Sequence, residues 1–277
     1  MSEIRRIIEW ALAEDLGSRD VTSAVLFRDR KVVSGFIKAK ESFTLAGIDV
    51  AREVFESVNS TIIFRSMKRD GDKVEKGDTL AEMTGDVADL MIAERTALNF
   101  IQRLSGIATL TLQYTEKIRG SRARVADTRK TTPGLRALEK YAVKVGGGSN
   151  HRMGLYDGIL IKDNHIAACG GIREAVSRAK MEAPHTIKVE VEVPDLNGVR
   201  DAVDAGADII MLDNMNIDDM REAVRLIAGR ALVEASGNIT LDNISDVAFT
   251  GVDIISVGAL THSATAVDVS MRIEQAR

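Results

Sequence analysis

One cysteine, Cys169, is the only thiol in this chain of 277 residues. A single cysteine excludes an intramolecular disulfide and suits a reducing compartment. Nothing around it in the sequence activates a thiolate, so it reads as a small residue near a helix start, not a nucleophile. Proline is nearly as scarce, at three residues, and no low-complexity tract is present, which argues against a disordered linker. Long apolar runs are missing too. The N-terminus, MSEIRRIIEWALAEDLG, interrupts every hydrophobic stretch with a charge and so reads neither as a signal peptide nor as a membrane span. A cytoplasmic location is the expectation. Excess positive charge is also absent: the net charge is −4 and the pI is near 5.7, whereas a nucleic-acid footprint normally needs a basic domain.

What is present is ordinary soluble globular composition, 45% hydrophobic and 28% charged, in a chain long enough for one large or two modest domains. Ile4, Ile7, Ile8, Ala11 and Leu12 recur at helical spacing and predict an amphipathic helix over 3–16, with Trp10 beside its apolar stripe. From Lys31 to about Val87 the pattern turns to short β-prone runs, and stretches such as DGDKVEKGD supply turns between them. A small α+β or all-β unit is expected there. Asp89 to Arg119 is helical again, as one long helix or two consecutive ones.

The second half repeats a unit. The apolar runs RVADT, GILIKDN, IKVEVEV, DIIMLDN, ALVEASG and DIISVGA alternate with amphipathic helical segments. Continuous apolar strands separated by helices predict a parallel sheet covered on its outside. Successive strands end at Arg129, Lys162, Glu192, Asp213, Ser236 and Gly258, and reactive groups at the carboxyl ends of βα units are the layout of a (β/α) barrel active site. Six strands fall short of eight, so an incomplete barrel is expected, with a doubly wound open sheet as the structural alternative.

The stretch from Asp127 to His165 carries the most chemistry. It gathers Arg129, Lys130, His151, Arg152 and Lys162 around the triplet Gly146–Gly147–Gly148. In an acidic protein that concentration suits a small, multiply anionic ligand better than nucleic acid. Arg forks grip carboxylate or phosphate in pairs, while Lys supplies a compact charge. Lys162 ends an apolar run, where an uncompensated lysine would be costly. Glu190 and Glu192 share one strand face by the period of two. Glu192 and Asp213, ending neighbouring strands, could share a hard cation such as Mg²⁺, or simply pair with Arg129 or Lys162. Ser236–Gly237 and Gly258–Ala259 precede helix starts, where late barrel loops commonly cradle phosphate. His165 and His185 read as structural. Two other functions fit parts of the pattern. Lys162 could form a Schiff base, as in barrel aldolases, and Met67–Lys68 within a turn-rich β segment echoes biotinyl or lipoyl carriers.

The ordered series EDLGSRDVTS, AERTALNFIQRLSGIAT, ADTRKTTPGLRALEKYAVKVGGGSNHRMGLYDGILIKDNH, KVEVEV, ADIIMLDNM, EASGNI and GVDIISVGALTHSA resembles the quinolinate phosphoribosyltransferase family over nearly the whole chain. A branch associated with molybdenum transport shares part of DTRKTTPG, and the run NHRMGLYDGILIKDNH favours the quinolinate branch. The resemblance implies an N-terminal α/β sandwich domain over 1–108, joined by a C-terminal helix over 264–277, and an α/β barrel over 109–263. It implies a pentosyltransferase of de novo NAD biosynthesis that uses Mg²⁺ and phosphoribosyl pyrophosphate to turn quinolinate into nicotinate mononucleotide, CO₂ and pyrophosphate. It further implies homodimers or dimer-based oligomers with shared active sites. On that basis Arg129, Lys130, His151 and Arg152 would surround the quinolinate carboxylates, Arg95 would reach the same pocket from the partner subunit, and Thr128 would also bind substrate. Lys162 would contact substrate and phosphoribosyl groups, Glu192 and Asp213 would hold ribose hydroxyls or Mg²⁺, and Lys130, Lys162, Glu192 and Asp213 would be the catalytic set. Ser236, Gly237, Asn238, Val257, Gly258 and Ala259 would bind the 5′-phosphate. Asn238 departs from the glycine that the family often has there, but asparagine tolerates left-handed backbone better than most residues.

Overall fold

The computed structural model describes residues 3–274. The first part of the chain runs α1 (Glu3–Leu16), α2 (Val21–Leu26), β1 (Val32–Ala39), β2 (Phe43–Thr44), α3 (Ile48–Val58), β3 (Ile63–Ser66), β4 (Lys73–Val74), β5 (Thr79–Asp86) and α4 (Val87–Lys117). There follow β6 (Arg124–Ala126), α5 (Arg136–Val145), β7 (Ile159–Ile161), α6 (Asp163–Cys169), α7 (Ile172–Glu182), β8 (Val189–Val193) and α8 (Leu196–Asp204). The chain ends with β9 (Ile209–Asp213), α9 (Ile217–Ile227), β10 (Leu232–Ser236), α10 (Ile244–Ala248), β11 (Ile254–Ser256), α11 (Ala259–His262) and β12 (Val269–Ile273). Two compact units divide it. One holds the chain up to Leu112, Thr132–Gly147 and the part from Ser263 onward; the other holds Gln113–Thr131 and Gly148–His262.

The first unit is built on an antiparallel sheet of order β12-β1-β5-β3. Alternate residues of β1 are buried, including Val33, Ile37 and Ala39, as the two-residue period of a half-covered strand requires. Helix α3 buries Val50, Ala51, Val54 and Phe55, with the Phe55 and Phe64 rings 5.5 Å apart. Asp70 accepts the Gly47 and Ile48 N–H groups at 2.8 and 3.0 Å, supplying orphan donors at the start of α3.

Two expectations change here. The C-terminal helix expected over 264–277 is instead strand β12, which pairs antiparallel with β1 from Gly35↔Ile273 to Ala39↔Val269. Val267, Val269 and Met271 are all buried, a period of two that suits a strand and gives a helix no continuous stripe; residues 275–277 of that segment lie outside the described residues. The segment 132–147, expected within the barrel, belongs to the first unit. Arg103 on α4 pairs with the buried Glu139 of α5 at 2.8 Å, and a Cβ on Gly146 would sit 2.4 Å from the Ala108 carbonyl oxygen. That close approach explains the glycine. The helix expected over Asp89–Arg119, as one or two, is a single helix of 31 residues, α4 (Val87–Lys117).

The second unit is a six-stranded parallel sheet of order β6-β11-β10-β9-β8-β7. From β7 to β11 each strand lies beside its predecessor, so the sheet winds in one direction. A doubly wound sheet would reverse at a switch point, and this one does not. No pairing joins β6 to β7 among the described residues, which leaves the barrel incomplete; Ser149 makes a single parallel bridge to Ala126 on the free side of β6. In β8 the valines 189, 191 and 193 are fully covered, while Glu190 and Glu192 take the opposite face. Helices α7, α8 and α9 bury Val176, Val199 and Ala223, completing an apolar outer layer.

Candidate active site

Strand ends and the loops after them surround a cavity of about 860 Å³. Of the residues expected from sequence, Thr128, Arg129, Lys130, His151, Arg152, Lys162, Glu192, Asp213, Ser236, Gly237, Asn238, Val257, Gly258 and Ala259 all line it. Arg95 does not: it is exposed on α4, in the other unit.

One side of the cavity is cationic. Arg129 and Lys130 follow β6, whose next residue, Asp127, is fully buried and accepts the His151 N–H at 2.9 Å. That bond ties the Gly148–Arg152 segment to the end of β6. Thr128 Oγ1 accepts the Lys130 N–H at 3.0 Å, and the Lys130 carbonyl accepts Thr261 Oγ1 at 2.7 Å, so the loop backbone is fixed at both edges. Arg152 Nη1 donates to the Gly158 carbonyl at 2.9 Å. Burial, and then the neighbouring Arg129 charge, hold the Arg152 guanidinium below its ordinary value, with Glu190 and Asp157 pulling the other way. Two guanidiniums close enough to repel, kept together by the fold, favour an anion between them.

Lys162 immediately follows β7 and pairs with Glu192 at the end of β8. The pairing with Lys162 that the sequence offered as an alternative role for Glu192 is therefore present. His165 Nδ1 accepts the Lys162 N–H at 3.0 Å, a cap on the first turn of α6, in line with its structural reading. Lys68, the carrier-type lysine, is paired with Asp78 at 2.8 Å.

After β9 and β10 the wall of the cavity is largely backbone, beside the Asp213 carboxylate. Gly237 has φ +94°, and a Cβ there would fall 2.2 Å from Asn214 Oδ1. Asn238 follows at φ 52°, left-handed as its residue type allows, and its Nδ2 donates to Asn214 Oδ1 at 2.9 Å. Asn214 is itself left-handed, at φ 55°, and donates to Asp213 Oδ2 at 2.9 Å. Sequence reasoning passed over Asn214 and His262, which also line the cavity. Asn214 directly follows the singled-out Asp213, so its signal was available; His262 sits on the four-residue helix α11 and carried none.

Glu192 and Asp213 offer only oxygen donors from adjacent strands. That set fits Mg²⁺ when substrate oxygens and water complete the shell. A tighter cluster lies deeper, where His151, Glu190 and Glu234 bring one ligand atom each within 4.8 Å of one another. Its imidazole nitrogen suits Mg²⁺ less well.

An incomplete parallel barrel whose strand ends join paired cations to a glycine-formed backbone cradle defines a class: an enzyme that handles a phosphorylated substrate together with a small polyanion. The chain belongs to the quinolinate phosphoribosyl transferase family, whose N-terminal domain matches residues 20–105 and whose C-terminal domain matches residues 107–272. It is 44% identical over 271 residues to the probable nicotinate-nucleotide pyrophosphorylase [carboxylating] of Bacillus subtilis, covering 98% of this chain and 93% of that protein. A chloroplastic nicotinate-nucleotide pyrophosphorylase [carboxylating] of Arabidopsis thaliana is 40% identical, covering 98% of this chain and 83% of that one. The crystal structure of NadC from Streptococcus pyogenes superposes with a TM-score of 0.95 at 44% identity, over 98% of this chain and 96% of that chain.

Proposed function

We propose that this protein transfers the phosphoribosyl group of phosphoribosyl pyrophosphate to quinolinate with loss of CO₂, yielding nicotinate mononucleotide and pyrophosphate for de novo NAD synthesis. The observation that carries the reading is the mouth itself, with Arg129 beside Arg152 on one side and the Gly237–Asn238 cradle on the other. A pyridine diacid and a sugar phosphate match those two sides.

In this reading Arg129, Lys130 and Arg152 grip the two carboxylates and hold the ring nitrogen facing ribose C1, which is chiefly a positioning task. The nitrogen lone pair forms the new N–C1 bond as the C1–O bond to pyrophosphate breaks, and the leaving group keeps that electron pair. Lys162 stabilises the charge that accumulates, by a preorganised cation needing no solvent reorganisation. The ribosylated ring is then cationic. It stabilises the electron pair left at C2 when the adjacent carboxylate departs as CO₂, and C2 takes up a proton. No covalent enzyme intermediate is needed. Glu192 and Asp213 would hold Mg²⁺ with substrate oxygens, and that ion would supply Lewis-acid stabilisation of pyrophosphate charge. The N–H groups of the Ser236–Asn238 and Val257–Ala259 turns would bind the 5′-phosphate.

Incubating the protein with quinolinate, phosphoribosyl pyrophosphate and Mg²⁺ should give nicotinate mononucleotide detectable by chromatography. Absence of product from folded protein overturns the reading. The exposed position of Arg95 supports a further part of it, that the protein acts as a homodimer with shared sites. Arg95→Ala and Lys162→Ala homodimers should each be inactive, and mixing them should restore part of the activity. A cytoplasmic setting is proposed as well, supported by the lone cysteine.

A further inference from the structure

His151 lines the mouth, yet both of its ring nitrogens are engaged within the protein. Nδ1 accepts the Arg152 backbone N–H at 2.8 Å. Nε2 lies 3.1 Å from Glu190 Oε2 and 3.7 Å from Glu234 Oε1. A ring nitrogen that accepts an N–H carries no proton, so the single proton of the neutral ring sits on Nε2 and is donated to Glu190. A second proton, on Nδ1, would set two N–H donors head to head.

The groups facing the ring come from three strands. Glu190 lies on β8 and Glu234 on β10, both buried, and Ser256 Oγ on β11 donates to Glu234 Oε1. Burial first, and then the Glu190 charge, push the Glu234 carboxyl up to about 7, with the Ser256 hydrogen bond opposing. Glu234 therefore holds its proton more readily than an exposed carboxyl does, and His151 Nε2, nearer to Glu190, donates there.

The same three side chains could be taken for a divalent-metal site. The hydrogen bonds argue against that. A metal on Nε2 would require the ring proton on Nδ1, where the Arg152 N–H already points.

We propose that His151 is a positioning residue that remains a neutral imidazole, linking the Arg152 backbone to the Glu190–Glu234 pair and so aiming the Arg152 guanidinium into the mouth. The cations that meet substrate carboxylates are then Arg129, Lys130 and Arg152, and not the His151 ring. This rests on the functional reading above. It differs from the set expected on sequence resemblance, which placed His151 among the carboxylate ligands.

Nitrogen-15 NMR of the full-length protein with labelled histidine tests it, with His151→Asn assigning the signal among four histidines. The expected result is the Nε2–H neutral tautomer at neutral pH, with its nitrogen shifts retained when quinolinate is added. A doubly protonated ring, or conversion to one on quinolinate addition, overturns the proposal. Kinetics supply an independent arm. Replacing His151 with Ala should raise the quinolinate KM about tenfold, the low end for loss of a supporting contact, with a smaller effect on kcat. His151→Asn, whose amide oxygen can take the Nδ1 position, should recover most of that loss, and an Asn variant as impaired as the Ala variant counts against the proposal. The tautomer is read without turnover. A wild-type protein inactive on quinolinate therefore sinks the functional reading alone, and a cationic ring in an active enzyme sinks this inference alone.

Discussion

The two sides of the mouth solve the problem of holding an anion by different means. After β6 and β7, and along Gly148–Arg152, the fold uses long charged side chains: Arg129, Lys130, Arg152 and Lys162. After β9 and β10 it uses backbone, shaped by Asn214, Gly237 and Asn238 at positive φ. A charged side chain can follow its ligand by changing rotamer. A backbone cradle cannot, so its selectivity depends on the shape of a few peptide units. The difference suits a flat diacid on one side and a tetrahedral phosphate on the other, and it predicts how each side fails.

The largest expected effect falls on the cationic side. Lys162→Met removes the lysine paired with Glu192 and should lower kcat by roughly 10²–10³, the scale of losing one preorganised donor at developing charge. Because the Lys162 side chain is 45% exposed, the change in unfolding free energy should be small, within about 1 kcal/mol. A variant that lost stability in proportion to activity would show the pair to be structural.

On the backbone side, Gly237→Ala is the sharpest probe. The new Cβ meets Asn214 Oδ1 at 2.2 Å in a backbone region at φ +94°, so the turn must deform, at a cost of about 1–3 kcal/mol. The expected kinetic signature is a raised KM for phosphoribosyl pyrophosphate with the quinolinate KM nearly unchanged. Equal rises in both would mean that the two sides do not act separately.

Beneath the cationic side, Glu234 gives a pH prediction. Its carboxyl titrates near 7 in the fold, against an ordinary value of 4.5. Between those values the unfolded chain has released a proton that the folded protein still holds. The unfolded state then binds fewer protons, and stability falls as pH rises from about 4.5 to 7, levelling above that. Urea midpoints measured across this range should show the decline, and Glu234→Gln should flatten it. A midpoint in the Gln variant that still falls in parallel with wild type would assign the slope to another group.

These two sides were also unequally legible. The cations stood out in sequence because side chains of one charge near strand ends are visible as letters, and the barrel was visible because apolar strands and amphipathic helices alternate with different periods. Glu190 and Glu192 could be placed on one face of β8 for the same reason. The left-handed turn at Asn214 was not legible, since most asparagines occupy ordinary backbone. Nor was the engagement of both His151 nitrogens, which depends on Glu190, 39 positions away, as well as on the adjacent Arg152 amide. Strand β12 was missed because its partner, β1, lies more than 200 residues earlier, and five residues carry too little pattern to decide between helix and strand.

Asn238→Gly should have the smallest effect and separates backbone from side chain within the cradle. Glycine occupies φ 52° without steric cost, which favours the substitution. It loses the exposed hydrogen bond from Nδ2 to Asn214 Oδ1, worth about 0.5–1.5 kcal/mol at most. These terms oppose one another. The Asn238 carbonyl can still accept Asn243 Nδ2, now 2.9 Å away, so the far end of the turn stays anchored. If the cradle binds phosphate through peptide N–H groups alone, the KM for phosphoribosyl pyrophosphate should change by no more than about threefold, the equivalent of roughly 0.6 kcal/mol. A tenfold rise would assign the Asn238 side chain itself to the phosphate and would blur the contrast between a side of side chains and a side of backbone.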